Sequence, residues 1–243
     1  MAEKSWKKAG ALTSKKEGAK NPEVVTVTQN YVVIGFEVNF PEAFKDSIHI
    51  LDVDYGHAFF YVVNQSKISR LLSFGPNGAG TVSAINPLKD GYKNSRPGTP
   101  DYPISEATKL FRIKLTSTQT RILEAETDKV RKKIIAGDAK YSALVNDTCA
   151  ETAREVLSAA SISTPSARGK VAVTTASVPK PELRNDFPYV GIKNENVRVV
   201  VASADNPYMW HHNFKKEGHK EVTRPALEWP NLIGMDDPLI SQW

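Results

Sequence analysis

The sequence predicts an α+β domain in which an antiparallel sheet packs against helices, one of them opening on the only cysteine in 243 residues. Three observations carry that expectation. Runs of β-branched and aromatic residues recur between Val24 and Phe74, separated by short polar turns, as in hairpin-linked strands. Two later stretches place apolar residues at helical spacing, each behind a capping residue. Cys149 heads the second of them.

Composition sets the outer limits. Hydrophobic residues make up 40% of the chain and charged residues 24%, as in an ordinary soluble globular protein. A single cysteine forbids an internal disulfide, so a packed core must supply the stability. The net charge of +5 is largely local: Lys4, Lys7, Lys8, Lys15, Lys16 and Lys20 crowd the first twenty residues. That pattern reads as a solvated tail, and with no aromatic platform beside it no nucleic-acid partner is expected. No apolar stretch follows these lysines, so no cleavable secretory signal is read. Nor does any run approach the ~18 apolar residues of a membrane span. Residues 1–22 are accordingly expected to be a disordered basic tail, 23–205 the main domain, and 206–243 a C-terminal extension. The aromatic content of that extension (Tyr208, Trp210, Phe214, Trp229, Trp243) predicts that it packs on the domain.

The elements follow in order. Residues 24–28 and 31–36 read as strands, and 47–51 as a short one. The strongest strand pattern is 55–63; Asn64-Gln65-Ser66-Lys67 forms a turn, and 68–74 return as the hairpin partner. Residues 76–106 carry many Gly, Pro, Asn and Ser and are expected to form a long cover on the substrate side. After a strand at 110–115, Thr116 with Gln119 makes a capping box. The helix it opens runs through Ile122, Val130, Ile134 and Ile135 to Gly137. Residues 141–145 lead extended into Cys149. Residues 161–190 are rich in Ser, Thr and Pro, 197–202 form a late strand, and the last forty residues read as irregular.

The chemistry gathers at Asn146-Asp147-Thr148-Cys149-Ala150-Glu151. Asp147 or Thr148 can cap the helix, while Ala153, Val156, Leu157 and Ala160 form its buried stripe. Cys149 then sits in the first turn, where the helix dipole favours thiolate, and a pKa below the free value of ~8.5 is expected. Such a nucleophile needs a base. Of His49, His57, His211, His212 and His219, only His57 combines a strand position with a preceding glycine, which leaves room for a substrate backbone. A buried structural cysteine and a satisfied structural histidine are the plainer roles for both residues. In the hairpin the residue facing His57 falls among Ser73 to Gly75, so Ser73 is a candidate for orienting the imidazole; Asp54 and His49 are the alternatives. No cofactor or metal is expected. No Gly-rich phosphate loop follows a strand, and Trp210-His211-His212 with His219 lacks the cysteines or carboxylates of a zinc site. The paired carboxylates Asp52-Val53-Asp54 and Asp236-Asp237 lack the ligand spacing of a calcium loop.

Together, Gly56-His57-Ala58-Phe59, Ser73-Phe74-Gly75-Pro76 and Asn146-Asp147-Thr148-Cys149 followed by Val156-Leu157 resemble the circularly permuted branch of the NlpC/P60 papain-like superfamily. There the histidine strand comes first and the cysteine helix last. The likeness covers roughly residues 50–165. It departs from the pattern where Asp147-Thr148 stand between Asn146 and Cys149, and where Ala159-Ala160-Ser161-Ile162 replaces Ala-Gly-Ile. The resemblance implies a permuted papain-like catalytic domain over 23–205, with Cys149 as nucleophile and His57 as its base. It also implies a cysteine peptidase or amidase acting on peptidoglycan peptides. Such a protein would be made in the cytoplasm and act in a rival's periplasm, as an antibacterial effector of a machine such as type VI secretion. A component of that machine and an immunity protein would be its partners. Acyl transfer and protein deamidation use the same dyad, and a non-catalytic binding module would need neither residue.

Overall fold

Tyr31–Glu37 and His57–Asn64 are apolar on both faces, and strands of that kind belong where a sheet is covered on both sides. The computed structural model, which describes residues 11–14, 23–26, 29–77, 95–142, 148–174, 199–225 and 232–243, places them there. In chain order the strands and helices are β1 (Ala11–Ser14), β2 (Glu23–Thr26), β3 (Tyr31–Glu37), β4 (Phe44–Lys45), β5 (Ile48–Ile50), β6 (His57–Asn64), β7 (Lys67–Leu72), β8 (Gly75–Pro76), β9 (Ser95–Thr99) and β10 (Thr108–Lys114). They continue with α1 (Ser117–Ala136), β11 (Lys140–Ser142), α2 (Cys149–Ala159), β12 (Arg168–Thr174), β13 (Val199–Asp205), α3 (Pro207–Lys216) and β14 (Glu221–Arg224). The architecture is α+β.

The main sheet runs β14-β10-β3-β6-β7 and is antiparallel throughout. Alternation along β3 and β6 divides the core in two. Val32, Ile34, Phe36, Ala58, Phe60 and Val62 face the helices, against Leu123 of α1, Ala153 and Leu157 of α2, and Trp210 and Phe214 of α3. Tyr31, Val33, Phe59, Tyr61 and Val63 face the other way, against Leu232 and Leu239 of the C-terminal segment. The buried Asp237 carboxylate fastens that segment by accepting hydrogen bonds from Tyr31, Tyr61 and Trp243. The hairpin turn between β6 and β7 has Gln65 and Ser66 at positive φ (51° and 68°), the geometry that matches strand twist. At Gly35 a Cβ would come within 2.2 Å of the Phe59 ring, so the glycine is what lets that ring lie flat on β3.

The capping box at Thr116 and the left-handed Gly137 (φ 81°) bound α1 as the sequence predicts. Elsewhere the structure differs. Ala11–Ser14, expected to be disordered, pairs with Glu23–Thr26; the rest of residues 1–22 lies outside the described residues. Residues 76–106 are not irregular throughout: Ser95–Thr99 joins a three-stranded antiparallel sheet, β11-β9-β8. Its Pro97 and Gly98 disguise it as a loop. The Ser/Thr/Pro-rich stretch contains β12, which pairs parallel with β5, so the sheet β13-β12-β5-β4 is mixed. The last forty residues hold α3, capped by the Asn206 side chain with Pro207 in its first turn. They also hold β14, an edge strand of the main sheet. Trp210 and Phe214, four residues apart, are fully buried and cluster with Phe36 and Phe111, edge-to-face and stacked.

Candidate active site

Thr148 makes the cysteine helix start where it does: its hydroxyl accepts from the Glu151 N–H at 3.1 Å, which leaves Cys149 as the first helical residue. Close to the sulfur stand the backbone N–H groups of Ala58, Ala150 and Cys149 itself and the Tyr141 hydroxyl. Those donors favour thiolate, and burial opposes them. With Cys149 only 3% exposed, burial wins, and the thiol is pushed up to about 11. The expectation of a thiol below ~8.5 is thus corrected: a helix N-terminus acts as one donor among several, while desolvation acts on the whole charge.

His57 opens β6 and is 6% exposed; burial lowers its imidazole to about 3, so the ring is neutral. Its Nε2 lies 2.8 Å from Ser73 Oγ, and Ser73 Oγ in turn donates to the Tyr102 carbonyl at 2.7 Å. A hydroxyl has one proton. With that proton given to Tyr102, Nε2 must carry its own hydrogen and donate to Ser73, which leaves Nδ1 as the basic nitrogen. Rings of Phe59 and Tyr102 flank the imidazole at 6.2 and 5.0 Å. Of the three residues considered for orienting His57, the hairpin delivers Ser73. Asp54 and His49 go elsewhere. His49 Nε2 donates to the Asp54 carbonyl at 2.7 Å, and the Asp54 carboxylate accepts from Tyr208 of α3. This clamp shapes the turn before His57. Gly56 has φ +63°, and a Cβ there would sit 2.9 Å from the Tyr208 ring, so the space beside it is filled on one side by Tyr208.

Thiol and imidazole meet β6 from opposite faces, and no hydrogen bond joins the two, so the structure does not bring the expected pair into contact. The sulfur reaches it through Ala58 N–H, while alternation turns the His57 ring toward Glu37 and Phe59. A cavity of about 440 Å³ opens on the His57 side and one of about 20 Å³ on the Cys149 side; Leu51, Tyr55, Gly56 and Tyr141 line both. Glu37, directly across the ladder from His57, is 6% exposed, and burial raises its carboxyl to about 7. Sequence reasoning overlooked Glu37, Tyr102 and Tyr141. A carboxylate ending the apolar run 31–36 was the one visible signal; the two tyrosines are brought in by chain that is distant in sequence.

No family model, curated protein or solved structure matches this chain. Function is therefore argued from the site alone. Among the described residues no three His, Cys, Asp or Glu side chains are grouped to hold a metal ion, and no helix is long and apolar enough to cross a membrane. His211, raised above as a metal candidate, instead bonds Glu221 through Nε2 at 2.7 Å.

Proposed function

We propose that the chain is a cysteine amide hydrolase of permuted papain-like, NlpC/P60-like type that cuts peptidoglycan peptides as a secreted antibacterial effector. One arrangement carries the reading. A cysteine opens a helix with its sulfur near the N–H of the residue after a histidine, and that histidine is fixed through Nε2 by Ser73, which leaves Nδ1 as the base. With the thiol near 11 and the imidazole near 3, an ion pair does not form in advance, so the proton moves as sulfur attacks. Sγ of Cys149 bonds to the amide carbon while the thiol proton passes to His57 Nδ1 by way of one water, since the two groups lie on opposite faces of β6. The resulting oxyanion is met by N–H groups of the α2 start and by the Tyr141 hydroxyl. The C–N bond then breaks, the amine leaving with the proton held by His57. Water, activated by the same ring, hydrolyses the thioester and restores the thiol. Tyr141 lines both the larger cavity and the small one at Cys149, so in this reading it stands between bound substrate and nucleophile.

In this reading the protein is made in the cytoplasm and acts in the periplasm of a target cell, with an immunity protein and a component of the secretion machine as partners. Expression in a Gram-negative host with an added periplasmic signal tests it. Lysis or rounding is expected from the wild type and from neither Cys149→Ala nor His57→Ala, with the cytoplasmic form harmless. Toxicity confined to the cytoplasm would instead favour a deamidase or acyltransferase acting on host protein.

A further inference from the structure

The small cavity at Cys149 is lined by a second histidine. His49 shares its wall with Cys149, Thr148, Tyr55, Tyr141 and Asn206. His49 is fully buried. Its Nε2 lies 2.7 Å from the Asp54 carbonyl, which can only accept, so Nε2 carries the hydrogen. Burial lowers the imidazole below its ordinary 6.5 against the opposing pull of Asp54. The ring is therefore neutral at pH 7 and Nδ1 is a bare lone pair. That lone pair is buried and has no hydrogen-bond partner among the described residues, the Cys149 sulfur included. Asn206 stands near, but its oxygen accepts from the Met209 N–H and its nitrogen donates to the Ala204 carbonyl. A buried acceptor left unpaired is costly, and such an orphan points to a partner that the chain itself does not supply. At about 20 Å³ the cavity has room for one water molecule. Thr148, Tyr55 and Tyr141 bring hydroxyl-bearing side chains to its wall, so the site is polar as well as roomy enough.

We propose that one water in this cavity joins the Cys149 thiol to His49 Nδ1, which gives the thiol proton a second destination besides His57. The inference deepens the hydrolase reading and rests on it in one respect, that Cys149 is the nucleophile. As sulfur bonds to an electrophilic carbon, the thiol proton passes to the water and the water's own proton passes to Nδ1. With an amide, that proton returns through the same water to the departing amine. While it is held, the His49 imidazolium keeps its Nε2–H on the Asp54 carbonyl, and the charge of Asp54 favours the cation. The other titratable groups around the ring are Tyr208, packed on it at 4.5 Å, and Tyr55, Tyr141, Cys149 and Asp205 at the cavity. Asp205 is paired with Arg154.

The test is the pH profile of Cys149 alkylation by iodoacetamide in the full-length protein, wild type against His49→Gln. In this reaction the S–C bond forms, iodide leaves and the proton ends on Nδ1, with no substrate turnover needed. Glutamine can still donate to the Asp54 carbonyl, so the variant keeps the structural bond of His49 and loses only the base. In the wild type a pH-independent rate should persist through neutral pH, beneath the rise that follows the thiol's own titration. His49→Gln should lower that floor about a hundredfold, the low end of what a positioned base contributes, and leave the rising limb unchanged. Floors of equal height, or equal slowing of both limbs, would overturn the proposal. Should the variant not fold, a high-resolution crystal structure of the wild type decides: one ordered water is expected within about 3.2 Å of Nδ1 and in contact with Sγ. A dry cavity, or an Asn206 N–H donated straight to Nδ1, would overturn it too. Intact sacculi together with a lowered floor in His49→Gln would sink the hydrolase reading and leave this inference standing.

Discussion

Replacing Glu37 by glutamine should make the protein more stable at neutral pH, although it alters a buried residue beside the site. Burial first, and the charges of Glu106 and Asp54 second, raise the carboxyl from its ordinary 4.5 to about 7. The folded chain therefore keeps a proton that the unfolded chain releases between those two values. Stability falls as pH rises through this window, and at about 1.4 kcal/mol per pH unit the loss reaches about 3 kcal/mol by pH 8. Glutamine has no such proton. Its oxygen can still accept from Glu106 N–H, but its NH₂ now faces the Ser105 N–H, a pH-independent cost of about 1 kcal/mol. The variant should thus be about 1 kcal/mol less stable than wild type at pH 4 and about 2 kcal/mol more stable at pH 8. Urea unfolding of both proteins at half-unit pH steps reads the difference. His57, whose lowered imidazole makes stability fall as pH drops below 6.5, contributes equally to both and cancels. Parallel stability curves would refute the account of Glu37.

Further outcomes follow from the same geometry. Ser73→Ala strips the His57 Nε2–H and the Tyr102 carbonyl of a buried partner, so it should cost about 1–3 kcal/mol for each group left unpaired and lower activity more than substrate binding; unfolding and the kcat-to-KM split measure both. Alkylation of Cys149 by iodoacetamide should rise with pH toward an inflection near 11, and Tyr141→Phe should slow it by removing a donor to sulfur; an inflection below 8.5 would contradict the buried-thiol description. Gly56→Ala must adopt φ +63° and push on the Tyr208 ring, so a loss of about 1–3 kcal/mol is expected in thermal unfolding, with activity lost beyond that through a displaced His57.

What could be read in the sequence was local. Thr148 caps α2 through a side chain three residues from its partner, and the β6–β7 hairpin carries its turn residues with it, which brings Ser73 to His57. The same holds for the capping box of α1. What could not be read depends on distant chain. Strand β12 gains its place from a parallel pairing with β5, over a hundred residues earlier, and its Val-Ala-Val core is too short to stand out from Ser, Thr and Pro. Trp210 and Phe214 looked like an aromatic tail because their partners Phe36 and Phe111 lie on two other strands. The state of the thiol was misjudged for a similar reason. Its position at a helix start is local, whereas its burial is set by Ala58, Tyr141 and the packing of α2 on the sheet.

The central claim is that Cys149 cuts amide bonds in peptidoglycan, and digestion of purified sacculi tests it most directly. Wild-type protein, Cys149→Ala and His57→Ala would each be incubated with sacculi, and soluble products identified by mass spectrometry. New peptide fragments, each with a freshly exposed carboxyl and amine, are expected from the wild type and from neither variant. Fragments released equally by Cys149→Ala, or an intact sacculus under folded wild-type protein, would contradict the account.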